Sequence, residues 1–146
     1  MFRHILVPVD GSSASMQATA KAGGLAQAFG SKVTLLSVID VYPFVGIGAD
    51  YAFGQAEYLT AATANANQSL SKAEAVLAQL GVASQRKVTE GHVVHQGITD
   101  CAESLGCDLL VMGSHGRHGI DRLLLGSTTQ RVLSHCKVPV LVVPGE

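Results

Sequence analysis

The sequence contains few cysteines, and they form no recognisable pair. There are three in 146 residues, Cys101, Cys107 and Cys136. No two of them form a Cys-x-x-Cys motif, and their number is odd. A disulfide framework or a redox pair is therefore not expected. The three thiols are interpreted as small buried hydrophobic side chains.

Long hydrophobic runs are also missing. No apolar run approaches the roughly 20 residues of a membrane-spanning helix. Met1–His4 leads directly into an apolar segment, so no signal peptide is recognised. From these absences we expect a soluble, cytoplasmic protein that has no membrane partner.

Neither sign of charge dominates. Lys and Arg total 10 against 11 Asp and Glu, a net charge of −1. This near-neutrality argues against DNA, RNA or an anionic membrane as the main partner. With 47% hydrophobic and 14% charged residues the chain is globular rather than disordered. Its length predicts one domain covering residues 1–146.

Strand-like and helix-like patterns alternate along the chain. Apolar runs predict strands at Ile5–Val9, Lys32–Ile39, Gln85–Thr89, Leu109–Met112 and Val138–Val143. Helices are predicted for the Ala-rich segment ending at Phe29, and for Gln55–Leu80, Val94–Leu105 and Ser127–His135. Residues 40–54, rich in glycine and aromatics, are predicted to form a loop. The alternation indicates an α/β protein with a parallel sheet covered by helices on both faces.

Two glycines lie inside the first predicted helix. Glycine costs up to about 1 kcal/mol relative to alanine in a helix interior. Gly23 and Gly24 therefore indicate either a close backbone contact or a locally weak helix.

A glycine-rich loop follows the fourth predicted strand. It runs from Gly113-Ser114-His115-Gly116 to Gly126-Ser127-Thr128-Thr129, where a helix begins. Glycine lets backbone N–H groups approach an anion, and a helix N-terminus adds unpaired donors and partial positive charge. Ser127 or Thr128 could donate a hydroxyl and also cap the helix. Because the Walker lysine and the GxGxxG spacing are both missing, an ordinary turn with a serine N-cap is the alternative to an anion site.

The loop and the strands around it contain motifs that resemble those of a known family. Gly113-x2-Gly116-x9-Gly126-Ser127 is similar to the G-2x-G-9x-G-(S/T) motif of the ATP-binding branch of the universal stress protein family. Ile5–Ser12 resembles the family's opening strand and acidic turn, Asp108–Gly116 its fourth strand and loop, and Val138–Val143 its closing strand. The resemblance therefore covers the whole chain. His92 stands where proline is common, and we expect no consequence for nucleotide binding.

The resemblance implies an open, Rossmann-like sheet of five parallel strands in the order 3-2-1-4-5, with ATP across the strand ends. Phosphates and ribose would be held by the glycine loop and the helix start, namely Gly113, Ser114, His115, Gly116, Gly126, Ser127, Thr128 and Thr129. Asp10 would lie near the ribose, the phosphates or a Mg²⁺ ion, or would instead help to cap the first helix. The adenine would lie near Pro8, Val9, Val38, Ile39 and Met112, for which simple core membership is the alternative.

The family also implies dimers. The last strand, Val138–Val143, is apolar on both faces and is placed at a sheet edge by the resemblance. An exposed apolar edge favours pairing with another chain, so we expect a two-fold homodimer built on this strand.

Histidines near the loop raise the question of a metal site. His115 and His118 are three residues apart, and His135-Cys136 follows later in the sequence. Zinc sites usually show tighter paired spacings. His115 and His118 are therefore expected to be exposed to solvent or to contact the phosphates.

The sequence is compatible with three functions. The first is a nucleotide-regulated stress-response module, in which ATP tunes conformation or the choice of an unnamed protein partner. The second is a slow ATPase or another ATP-consuming enzyme, although no convincing catalytic base and no HIGH or SGGxDS signature is present. The third is a structural module that binds no nucleotide.

Overall fold

The computed structural model describes residues 1–41, 49–115 and 125–145. Strands and helices alternate through these residues from the first strand to the last. In chain order they are β1 (His4–Pro8), α1 (Ser13–Phe29), β2 (Lys32–Asp40), α2 (Ala49–Gln79), β3 (Ser84–Gly91), α3 (Val94–Ser104), β4 (Leu109–Gly113), α4 (Ser127–His135) and β5 (Val140–Val143).

The strands form one parallel sheet in the order β3-β2-β1-β4-β5. This confirms the predicted fold. β2 and then β3 lie on one side of β1, and β4 and then β5 lie on its other side. Strand order therefore reverses between β1 and β4, where open α/β sheets form their ligand crevice.

The core lies on both faces of this sheet. In β1, Ile5 and Val7 pack in a cluster with residues of α1 and α2, whereas Leu6 packs in a second cluster with residues of α3 and α4. Burial on both faces explains why the central strands are continuously apolar rather than alternating. In the described part of the chain, no helix has the length and apolar character that a membrane span requires.

Gly23 marks a close contact between α1 and α2. A Cβ added at Gly23 would lie 2.5 Å from Leu80 Cδ1 and 3.0 Å from Leu77 Cδ2, whereas one at Gly24 would meet nothing within 4 Å. Gly23 therefore marks a close contact, as one of the two predictions for this glycine pair states, rather than a locally weak helix.

The prediction of a loop through residue 54 is wrong at its C-terminal end, because α2 already begins at Ala49. Residues 42–48 lie outside the described residues. A growing helix adds one hydrogen bond for each residue that it fixes. Continuation of the alanine-rich helix therefore offsets the helix propensity that is lost at Gly54, which is about 1 kcal/mol relative to alanine.

The last strand is shorter than predicted. It begins at Val140 rather than Val138, since Pro139 has no N–H to donate to the ladder. The carbonyl of Pro139 still accepts from Leu110 N at 2.9 Å, and Val138 packs against the α3–α4 side of the core.

The cysteines mostly behave as small apolar side chains. Cys101 and Cys107 are buried and Cys136 is half-buried. Burial, followed by the neighbouring Cys101, raises the pKa of the Cys107 thiol to about 11. Cys107 is therefore an unreactive thiol at neutral pH.

Candidate functional site

A cleft of about 590 Å³ opens at the carboxyl ends of β1 and β2. Its volume is within the usual range for small-molecule sites. The walls come from the ends of these strands, the middle of α2, and the first residues of α3 and α4. The lining residues are Val9, Asp10, Ser37, Val38, Ile39, Asp40, Tyr58, Ala61, Ala62, Asn65, Ala66, Ser69, Val94, Gly126, Ser127, Thr128 and Thr129.

The segment after β1 and the start of α4 face this same cleft. They do so because β1 and β4 are neighbours in the sheet, with Ile5 opposite Leu109 and Leu6 opposite Leu110. The residues singled out by sequence that line the cleft are Val9, Asp10, Val38, Ile39, Gly126, Ser127, Thr128 and Thr129.

Other residues singled out by sequence lie elsewhere. Met112 is buried in the α3–α4 side of the core, and Pro8 lies within β1, opposite Leu36. Gly113, Ser114 and His115 do not line the cleft. Gly116 and His118 lie outside the described residues.

The small size of Gly113 is required by helix α1. A Cβ at this position would lie 2.7 Å from Ala14 Cβ and 2.9 Å from the Ala14 carbonyl carbon. The second of these neighbours is backbone and cannot rotate away. The end of β4 therefore needs glycine for helix–sheet packing, whether or not an anion is bound.

The two ends of the glycine loop are held together by the protein's own hydrogen bonds. Gly126 N donates to Ser114 O at 2.7 Å, and Ser114 N donates to Val143 O at 2.9 Å. Thr129 Oγ1 donates to Gly113 O at 2.9 Å. The start of α4 is therefore fixed against β4 without a ligand, and the N–H of Gly126 is already occupied.

His115 sits at the beginning of this loop. Its Nδ1 lies 3.0 Å from Ser114 Oγ. The other ring nitrogen, Nε2, is buried and has no hydrogen-bond partner among the residues that the structure describes.

The first turn of α4 lacks a side-chain cap. Its N-cap residue is Gly126, with φ −62° and ψ 156°, and no side chain accepts a hydrogen bond there. The prediction that Ser127 or Thr128 caps this helix is wrong, because both residues lie inside its first turn. The N–H groups of Ser127, Thr128 and Thr129 find no backbone acceptor among the described residues outside the helix. These donors and the helix dipole favour an anion at this end of the cleft.

Asp10 belongs both to the cleft and to the turn that starts α1. Its Oδ1 accepts from Ser12 N at 2.9 Å, while Ser12 Oγ accepts from Ser15 N at 3.2 Å as the N-cap of α1. Gly11 between them has φ 84°, a conformation that favours glycine. The predicted capping role of Asp10 is thus present, although it acts through Ser12.

Sequence reasoning missed the polar residues that α2 and the end of β2 bring to the cleft. Ser37 and Ser69 are each only 7% exposed, yet both line the cavity together with Asn65. Tyr58 OH donates to Asp40 O at 2.7 Å and so attaches α2 to the end of β2. A serine at an otherwise buried position of a strand or helix is the sequence signal that could have indicated these residues.

The described lining contains two carboxylates, Asp10 and Asp40, and no cationic side chain. Among the described lining residues, the N-terminus of α4 is the feature that can stabilise a bound negative charge. The lining carboxylates are hard oxygen donors of the kind that Mg²⁺ prefers.

The fold and the cleft define an open α/β protein with a cleft at the carboxyl ends of its strands, next to the point where strand order reverses. The profile of the Universal stress protein family matches residues 1–144. The chain therefore belongs to the universal stress protein family.

Individual relatives agree with this assignment. Universal stress protein MJ0531 of Methanocaldococcus jannaschii is 35% identical over 144 residues, which cover 98% of this chain and 82% of that protein. The solved structure of MJ0577 from the same organism superposes with a TM-score of 0.86 at 28% identity, covering 100% of this chain and 98% of the other.

Two more distant structures share the fold. A universal stress protein solved in complex with cAMP has a TM-score of 0.69 at 24% identity and covers 98% of this chain and 97% of its own. A universal stress protein from Archaeoglobus fulgidus in complex with dAMP has a TM-score of 0.67 at 20% identity, with 97% of each chain covered.

Proposed function

We propose that this chain binds ATP in the cleft and acts in the cytoplasm as a nucleotide-regulated module of the stress response. The observation that carries the proposal is the uncapped first turn of α4, which faces the same cleft as an apolar wall and a carboxylate. A nucleotide needs these three surfaces for its phosphates, base and ribose. Relatives of the same fold have been solved with cAMP and dAMP, both of which are adenine nucleotides.

The phosphates occupy the N-terminus of α4 in this proposal. The N–H groups and hydroxyls of Ser127 and Thr128 are the donors, and Thr129 positions the turn through its bond to Gly113 O. The spacing Gly113-x2-Gly116-x9-Gly126-Ser127 supports this placement, because it is similar to the motif of the family's ATP-binding branch. The family motif also assigns Ser114, His115 and Gly116 to the phosphate-binding loop, and of these Gly116 lies outside the described residues.

The base and ribose occupy the strand ends. Val9 and Ile39 are buried side chains that reach the cleft, and Val38 and Val94 lie on its lining. We place the adenine against them, with Pro8 and Met112 behind as supporting core. Asp10 accepts from a ribose hydroxyl or holds Mg²⁺ bound to the phosphates.

The first experiment asks whether nucleotide accompanies the purified protein. The protein is denatured, and the supernatant is run on anion-exchange chromatography beside ATP, ADP and AMP standards. Co-eluting ATP supports the proposal. If no nucleotide is released and added ATP shows no binding by calorimetry, the chain is the structural module described above.

The second experiment places the phosphates. Gly126→Val keeps a backbone conformation that a branched residue can adopt, since its φ is −62°. The added side chain lies where we place the phosphates, so we expect ATP affinity to fall by at least about tenfold, or 1.4 kcal/mol. Gly24→Ala is the matched control, because its Cβ meets nothing within 4 Å. Unchanged affinity in Gly126→Val would refute the placement.

An ATP-consuming enzyme is the second candidate, favoured by the two carboxylates in the cleft. The two functions differ in turnover. ATP hydrolysis is measured with and without Mg²⁺, and a Mg²⁺-dependent rate above about 1 s⁻¹ would favour the enzyme. A bound nucleotide that turns over far more slowly supports the regulatory module.

A further inference from the structure

Two histidines from different helices meet outside the cleft. His95 lies in the first turn of α3, and His135 is the last residue of α4. Their ring centroids are 5.3 Å apart, and the ring planes are tilted by 34°. Neither residue lines the cleft, so the proposed nucleotide site does not account for the pair.

The ring of His135 is already oriented by its own helix. Its Nδ1 lies 2.7 Å from the carbonyl oxygen of Arg131. A carbonyl oxygen only accepts, so Nδ1 carries the hydrogen and the neutral ring presents the lone pair of Nε2. A ring nitrogen that donates to a backbone carbonyl is the usual arrangement around metal-binding histidines.

His95 supplies the second imidazole from the neighbouring helix. It is the second residue of α3 and is half-buried beside the ring of His135. Imidazole is a common metal ligand in its neutral form.

The separation of the two rings suits one shared ion. When two imidazoles each bind a tetrahedral ion through one nitrogen at about 2.0–2.1 Å, their ring centres lie roughly 5 Å apart. From this match we propose that His95 and His135 form an interhelical site for a divalent transition-metal ion that prefers imidazole, such as Zn²⁺. Imidazole suits Zn²⁺, Cu²⁺ and Ni²⁺, whereas Mg²⁺ and Ca²⁺ prefer oxygen donors.

The ion keeps open coordination positions. Within the described residues, no cluster of three or more His, Cys, Asp and Glu side chains is found that could hold a metal. The proposal leaves the remaining positions to water or a small anion. Arg131 opposes the ion, because it lies one turn before His135 on α4 and carries a positive charge. Its removal should strengthen metal binding.

The test is a Zn²⁺ titration of nucleotide-free protein at pH 7.5 by calorimetry. One equivalent should bind, and His95→Ala and His135→Ala should each reduce the affinity by at least about tenfold. His92→Ala removes a nearby exposed histidine and should leave the affinity unchanged. Cys136→Ser, which removes the thiol next to His135, should also leave it unchanged. Arg131→Ala should tighten binding, an effect not expected if the rings only pack together.

A second measurement does not depend on any variant folding correctly. In the wild-type protein, Zn²⁺ should shift the ring NMR signals of His95 and His135 together, whereas Mg²⁺ should leave them unchanged. The proposal is overturned if no Zn²⁺ binds, or if Zn²⁺ binds without moving these two signals. It is also overturned if folded His95→Ala and His135→Ala variants retain the wild-type affinity.

Discussion

Gly113→Ala tests whether the first glycine of the loop is needed for packing against α1. The added methyl group would meet Ala14 Cβ at 2.7 Å, the Ala14 carbonyl carbon at 2.9 Å and its oxygen at 3.1 Å. Two of these three atoms are backbone. Either α1 or the end of β4 must therefore shift to accept the substitution.

The loss in the free energy of unfolding can be estimated from substitutions that add a methyl group to a packed core. An extra methyl group in a well-packed site costs about 1–3 kcal/mol. At roughly 3 °C per kcal/mol for a chain of this size, the melting temperature should fall by about 3–9 °C. The loss should appear in the absence of nucleotide, because the clash is with α1 and not with a ligand.

The assay is urea unfolding of nucleotide-free wild-type protein, Gly113→Ala, Ala14→Gly and the double variant. Ala14→Gly removes one of the three close atoms, so the double variant should be more stable than the two separate losses predict. The coupling energy of this cycle should exceed about 0.5 kcal/mol. A Gly113→Ala protein within 0.5 kcal/mol of the wild type, or fully additive losses, would refute the packing argument.

Two further predictions concern the dimer edge and the start of the sheet. We propose a homodimer through β5, where Leu141 is 40% exposed; Leu141→Lys should give monomers by sedimentation, whereas Val93→Lys, also at an exposed apolar residue, should not. A wild-type monomer at micromolar concentration would refute the dimer. Asp108 accepts from Arg3 N and His4 N at 2.9–3.1 Å, and these backbone bonds lower the pKa of its carboxyl. The stabilisation is present at neutral pH and is lost as acid protonates the carboxylate below about pH 4. Asp108→Asn should cost about 1 kcal/mol at pH 7, since solvent weakens these bonds, and the difference from wild type should shrink in urea unfolding at pH 3. An equal difference at both pH values would contradict this.

The fold followed from the sequence because burial on both sheet faces leaves a strong local signal. Continuous apolar runs such as Leu109–Met112 alternate with segments of helical periodicity. This pattern indicates a parallel α/β sheet. The start of α2 did not follow, because local composition around Gly54 opposes a helix that propagation from Ala-rich residues sustains. The start of β5 was predicted two residues too early, because Pro139 has no N–H to donate to the pairing with β4.

Part of the cleft lining was predicted from the sequence. Asp10 and Ser127 belong to segments expected to face one pocket, because the ends of parallel strands meet at one edge of the sheet. Val38 was assigned through the family resemblance, and it also lines the cleft. Ser69 was missed, because a serine in a long helix becomes informative only once it is known which face of that helix is buried. The pair of His95 and His135 was missed for the same reason, because it depends on how α3 and α4 pack.

The two described glycines of the loop motif have different physical requirements in this structure. Gly113 is small because Ala14 of α1 leaves no room for a Cβ, whereas Gly126 begins α4 and uses its N–H to close the loop onto Ser114. The N–H groups that we assign to phosphate belong to the residues after Gly126. A variant at Gly113 that loses ATP could therefore do so by moving α1 and the strand end. Gly126→Val acts at the helix N-terminus where the phosphates are placed, and it is the substitution whose effect on affinity bears directly on the site.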